Sequence, residues 1–158
     1  MNKKTKELAY NAIIAAVYVA ITLAIAPIAY GPIQFRVSEI MTLLVLLNPR
    51  FAPGLIVGCL IANFYSPLGL PDMIFGTTAT AIAVLAMTKI KNIFAASLMP
   101  TIVNGIIIGI QLWYLFDLPL LESMLYVALG EFVVVSIIGI PLFKIITAKF
   151  PKLKEADI

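Results

Sequence analysis

Residues 8–28 read LAYNAIIAAVYVAITLAIAPI, twenty-one positions without one charged side chain. A helix crosses bilayer hydrocarbon with ~20 consecutive, mainly apolar residues, so this stretch is long enough to span a membrane. A second run, residues 94–116, is equally free of charge. The rest of the chain follows suit. Of its 158 residues, 62% are hydrophobic and 12% are charged, against about 25% charged in soluble domains. Mean hydropathy is +1.07. A domain of this size leaves much of its surface uncovered, and an apolar excess this large must face lipid. The chain reads as an all-α integral membrane protein.

No polar stretch long enough for a separate domain occurs, so residues 1–158 are expected to form one membrane domain. The opening MNKKTK before an apolar run mimics a secretory signal, but that run exceeds a signal core and no polar mature domain follows it. A retained first helix is expected. Cys59 is the single cysteine and histidine is absent, which argues against a disulfide framework, a metal site or imidazole acid–base chemistry. No Gly-rich phosphate loop ending in Lys-Ser/Thr is present, so the chain has no ATPase motif of its own. No nucleophile is paired with a base. Neither an enzyme, a cofactor nor a nucleic-acid partner is expected.

Prolines, glycines and polar clusters divide the chain into helices at roughly 8–28, 38–47, 53–64, 72–88, 93–115 and 121–147. The second and third are short for a crossing; they are either tilted or meet at membrane depth around Pro49 and Pro53. Orientation follows from basic loops, which favour the cytoplasmic side. With the N-terminus inside, Lys3, Lys4, Lys6, Arg50, Lys89, Lys91, Lys144, Lys149, Lys152 and Lys154 all fall there. Six transmembrane helices with both termini cytoplasmic are therefore expected. Of the eleven basic residues, Arg36 alone lies on the external half.

Arg36 belongs to GPIQFRVSE, residues 31–39. Ionisable side chains near hydrocarbon are costly and usually face a bundle interior or a watery cavity. Gln34, Arg36, Glu39, Asn63, Asp72, Asn104, Gln111 and Glu131 are the polar candidates, and the expected topology places all of them at mid-depth or in the external half. Simpler roles exist for several. Asp72 follows Pro71 and is placed to cap a helix; Arg36 and Glu39 can pair with each other; Asn63 and Asn104 can bridge helices. Glu131 has no base within a helical turn, so its partner must come from elsewhere in the fold or from a ligand. Phe35, Phe64, Tyr65, Phe75, Trp113, Tyr114 and Phe116 also fall in the outer half. An interfacial belt accounts for most, with one or two, Trp113 among them, available to stack on a flat ligand.

Ala12, Ala16, Ala20 and Ala24 recur at a spacing of four. Small residues so spaced let a second helix approach closely in lipid, whether a helix of this chain or of a partner. Gly105 and Gly109 form a similar ridge, expected to pack internally. No convincing inverted repeat of the kind many secondary transporters show is visible.

A six-helix chain of this size, with an alanine-striped first helix and no ATPase motif, resembles the substrate-binding S components of energy-coupling factor (ECF) vitamin transporters. Within them it resembles the QueT family of queuosine-precursor transporters. The residues that carry the likeness are GPIQFRVSE at 31–39, PGLIVGC at 53–59 through Asn63, DMIFG at 72–76, Asn104-Gly105 and Gly130-Glu131. The resemblance implies a multi-pass protein of a prokaryotic plasma membrane that binds a 7-deazaguanine from outside: an aminomethyl or cyano precursor, or queuine. It implies association with a transmembrane T component and two cytoplasmic ATPases, toppling in the bilayer to release cargo. Ala12, Ala16 and Ala20 would meet the T component. Gln34, Arg36, Glu39, Asn63, Asp72, Asn104, Glu131 and Trp113 would bind substrate. An ion-coupled transporter working alone, with Glu131 or Asp72 carrying the proton, is the rival reading.

Overall fold

The computed structural model describes residues 2–30 and 34–149. The turn expected at Gly31 and Pro32, and Lys152 and Lys154 of the charge count, lie outside them. The described residues are helical throughout their main elements, with no strand. In order these are α1 (Lys3–Ala24), the single turn α2 (Ala26–Ala29), a 3-10 helix (Val37–Leu46), a 3-10 turn (Pro49–Phe51), α3 (Ala52–Phe64), α4 (Thr77–Met87), α5 (Ile93–Phe116), α6 (Leu120–Glu131) and α7 (Ile140–Lys149). Two π-helical segments interrupt the pattern: Asp72–Gly76 leads into α4, and Phe132–Gly139 joins α6 to α7.

Local chemistry explains most boundaries. α1 starts five residues before the apolar run, because Lys3, Lys4, Lys6 and Glu7 are good helix formers and no Gly or Pro interrupts them. Pro27 sits in the first turn of α2, where its missing N–H costs nothing. Asn48 accepts the Arg50 N–H at 3.0 Å and so caps the turn ahead of α3. Asn92 does the same for α5, accepting from Ala95 at 2.9 Å. Pro141 has no N–H to return to the preceding turn, and the irregular winding of Phe132–Gly139 lies just before it.

Among the described residues, three helices are long and apolar enough to cross a membrane: Lys3–Ala24, Ile93–Phe116 and the continuous Leu120–Lys149. Val37–Leu46, Pro49–Phe64 and Asp72–Met87 are shorter apolar helices. α5 packs along α6, α1 along α3, and α4 along α5, while the 3-10 helix lies against the second π segment. Tyr18, Leu43, Leu55, Met87, Val134 and Val135 anchor the main core; Ile108, Leu112 and Val127 form a smaller one.

Close approaches rest on small residues. A Cβ on Gly109 would sit 2.4 Å from Met124 Cγ and 2.8 Å from its Cα, so α5 and α6 touch backbone to backbone there. The Gly105–Gly109 ridge is thus internal. The alanine stripe is not. Ala12, Ala16, Ala20 and Ala24 are all exposed, whereas Ile14, Ala15, Tyr18 and Thr22 form the buried face of α1.

Candidate functional site

The buried polar residues stand on four elements that meet inside the bundle. Arg36 precedes the 3-10 helix and Glu39 lies in its first turn. Asn63 ends α3, and Asp72 opens the first π segment. Asn104 and Gln111 lie two turns apart on the inner face of α5, and Glu131 is the last residue of α6 before the second π segment. Both acids of the later helices therefore border π-helical turns, whose irregular winding is frequent at functional sites.

Arg36 pairs with Asp72, not with Glu39: its Nη2 lies 3.6 Å from Asp72 Oδ2, and both side chains are buried. Asp72 is the hub of that corner. Its Oδ1 accepts the Gln111 amide at 2.7 Å and its Oδ2 accepts the Ser66 hydroxyl. The expected cap at Asp72 is absent, since Pro71 occupies the cap position and makes no side-chain cap bond. The Asp72 carboxylate instead ties α5 to the loop before α4. Tyr30 stacks against the arginine, its ring centroid 5.7 Å from the guanidinium carbon, and donates its hydroxyl to the Ala62 carbonyl at 2.5 Å.

Glu39 is held from two sides. Its Oε1 accepts Tyr18 at 2.5 Å and Thr80 at 3.1 Å, linking α1 and α4 through the 3-10 helix. Asn63 donates to Cys59 Sγ and Thr77 Oγ1, each at 3.3 Å, and flanks Gly76 together with Arg36. Asn104 donates to Glu131 Oε1 at 2.8 Å. The helix-bridging roles expected of the asparagines are therefore real.

What sets this network apart is its unused capacity. Among the described residues, Arg36 Nε and Nη2, Glu39 Oε2, Thr101 Oγ1, Gln111 Oε1 and Glu131 Oε2 are buried and make no hydrogen bond. Buried polar atoms are nearly always satisfied, and each unsatisfied one costs about 1–3 kcal/mol. Both donors and acceptors are concentrated here, as recognition of a small polar ligand requires.

A cleft of about 350 Å³ adjoins the network, within the size range of small-molecule sites. Tyr30, Gln34, Leu68, Leu112, Glu122 and Tyr126 are among its walls. Gln34 has a left-handed backbone (φ 51°) although it is not glycine, a conformation that costs about 1–3 kcal/mol and tends to cluster at functional sites. Tyr30 lines the cleft and also stacks on Arg36, and so links the cleft to the buried network.

Of the residues expected from sequence, Gln34, Arg36, Glu39, Asn63, Asp72, Asn104, Gln111 and Glu131 are all buried. Trp113 is not brought to them. It is 49% exposed on α5, and Tyr114 and Phe116 near it are exposed too, an arrangement that suits an interfacial belt. Sequence reading missed Tyr18, Ser66 and Thr80, which serve the carboxylates, and Tyr30, Glu122 and Tyr126 of the cleft. Tyr18 and Thr80 are ordinary residues in apolar helices, with no local signal that they face a carboxylate.

The described residues contain no group of His, Cys, Asp and Glu that would hold a metal ion. No solved structure matches the chain with statistical significance. The family profile described as QueT transporter matches residues 8–148. The Queuosine precursor transporter QueT of Lactococcus lactis subsp. cremoris (strain MG1363) is 31% identical over 146 residues, covering 82% of this chain and 85% of the relative. With apolar helices long enough to span a bilayer and a buried polar site beside a cleft, the chain belongs to the QueT transporter family.

Proposed function

We propose that this chain is the substrate-binding S component of an ECF-type importer and takes up a queuosine precursor of the 7-deazaguanine type from outside. The substrate class rests on the relative's name and on the chemistry of the site. One observation carries the reading: Glu131 is buried, one of its oxygens is held by Asn104, and the other makes no hydrogen bond. A guanine-type edge offers an N–H and an exocyclic amine side by side, which a carboxylate accepts as a charge-assisted pair. Glu131 receives that edge, with Glu39 behind it. Arg36 and Gln111, with Asn63, Asn104 and Asp72 around them, complete the contacts, and Gln34 lines the approach.

Six crossings with both termini in the cytoplasm give the best charge balance across the loops, and put this site on the external half of the plasma membrane. The exposed stripe Ala12, Ala16 and Ala20 docks a T component, whose two ATPases supply the energy that this chain has no motif to generate. Reconstitution tests the division of labour. Purified chain in liposomes binds a deazaguanine without accumulating it, and accumulation begins when the T component and ATPases are added with ATP. Accumulation by the chain alone, driven by a proton gradient, overturns the reading in favour of a self-sufficient secondary transporter.

A further inference from the structure

α1 and α7 both pack against the 3-10 helix Val37–Leu46, and a groove of about 260 Å³ runs between them. Its walls include Val17 and Ile21 of α1 and Leu142 and Ile146 of α7, and its floor is the 3-10 helix from Val37 to Leu47 at the far end. Thr147 is the one polar residue among the described residues that line it, and its hydroxyl already donates to the Lys144 carbonyl at 3.2 Å. Water finds no partners there, so the groove takes hydrocarbon. A 3-10 helix rises about 2.0 Å per residue, which makes the floor about 20 Å long. One leaflet supplies half of a ~30 Å hydrocarbon core, so an acyl chain has the length to lie along it.

One end of the groove carries charge. Leu47 and Phe143 line the groove and also a second cleft, of about 390 Å³, whose walls include Lys91 and Ile93. Lys91 is exposed, and among the described residues no carboxylate pairs with it. An apolar slot that opens on an unpaired lysine matches a molecule with a hydrocarbon tail and an anionic head. We propose that the groove is a site for an anionic glycerophospholipid, with one acyl chain along the 3-10 helix between α1 and α7 and the phosphate at Lys91. A helix of another protein suits the space less well. With its side chains it is about 10–12 Å across, so it lays only a ridge on a groove this small and leaves Lys91 without a counter-charge.

Lipid exchange at a reporter in the groove tests this. The full-length chain carries Phe143→Trp together with Trp113→Phe, so that the groove holds the single tryptophan, and is placed in nanodiscs that mix phosphatidylcholine with phosphatidylglycerol brominated on its acyl chains. Quenching is expected to show about a five-fold preference for phosphatidylglycerol, the effect of one lysine near an anionic headgroup. Adding Lys91→Gln is expected to bring the preference close to one, while quenching by brominated phosphatidylcholine stays unchanged and shows that the groove is intact. Moving the reporter to Ile106→Trp, on an exposed part of α5, is expected to show no preference. Equal binding of the two lipids at the groove, a preference that survives Lys91→Gln, or the same preference at Ile106→Trp overturns the proposal. Absence of quenching by either lipid also overturns it, because protein, from a second copy or a partner, then covers the groove.

Discussion

Arg36 and Asp72 approach to 3.6 Å with both side chains buried, so a residue leading the 3-10 helix is tied to the first turn before α4. Removing one member of such a pair strands the other charge in a low-dielectric interior, at about 3–5 kcal/mol. Arg36→Gln and Asp72→Asn are each expected to lower the thermal unfolding midpoint of the detergent-solubilised protein sharply. The double variant should recover part of the loss, because neither charge is then stranded. Strict additivity of the two losses would show that the pair is not coupled.

Tyr18 and Thr80 converge on the same oxygen of Glu39. Tyr18→Phe removes one donor without changing core volume, and is expected to cost about 1–3 kcal/mol. Thr80→Val should cost a similar amount, and the pair of changes more than their sum, since Glu39 would then lose both donors. Chemical unfolding monitored by circular dichroism measures all three.

Gly109 and Gly69 make opposite demands. A methyl at Gly109 meets Met124 backbone atoms at 2.8 and 2.9 Å, so Gly109→Ala must push α6 away and should cost about 1–3 kcal/mol. Gly69 has open space around it but a left-handed backbone, φ +62°, and Gly69→Ala should cost about 1 kcal/mol through backbone strain alone. Unfolding midpoints ranked with Gly69→Ala closer to wild type would agree with this.

The exposed alanines make a prediction of the opposite kind. Ala12→Leu and Ala16→Leu add bulk to a face that is exposed among the described residues. Folding and substrate binding are expected to stay within about 0.5 kcal/mol of wild type, while uptake by cells carrying the partner subunits is lost. Unimpaired uptake would remove the alanine face from the docking surface.

The architecture was legible because lipid imposes a simple rule: apolar runs punctuated by Pro, Gly and Lys mark helices, and helix ends predicted at 64, 72, 93 and 115 fall within a residue of Phe64, Asp72, Ile93 and Phe116. What periodicity could not show is winding. The 3-10 helix Val37–Leu46 and the two π segments depend on how tertiary neighbours take up backbone groups, not on local propensity. The polar site was visible for the same reason as the helices, since Glu39, Asp72 and Glu131 are conspicuous in oil. Their pairings were not. Arg36 has Glu39 three residues away yet reaches across the fold to Asp72, because the 3-10 helix turns Glu39 toward Tyr18 and Thr80. Trp113 is exposed on α5 next to Leu112, and its local sequence does not tell a ligand-stacking aromatic from one of an interfacial belt.

The central claim is that Glu131 reads the base edge of a deazaguanine. Glutamine at this position keeps an oxygen for Asn104 to donate to, so Glu131→Gln should fold normally, but it loses the charged acceptor that a paired N–H and amine require. Calorimetric titration of wild type and Glu131→Gln with 7-aminomethyl-7-deazaguanine measures this directly. A loss of about ten-fold or more in affinity at an unchanged unfolding midpoint is predicted; equal affinity in the two proteins would contradict the account.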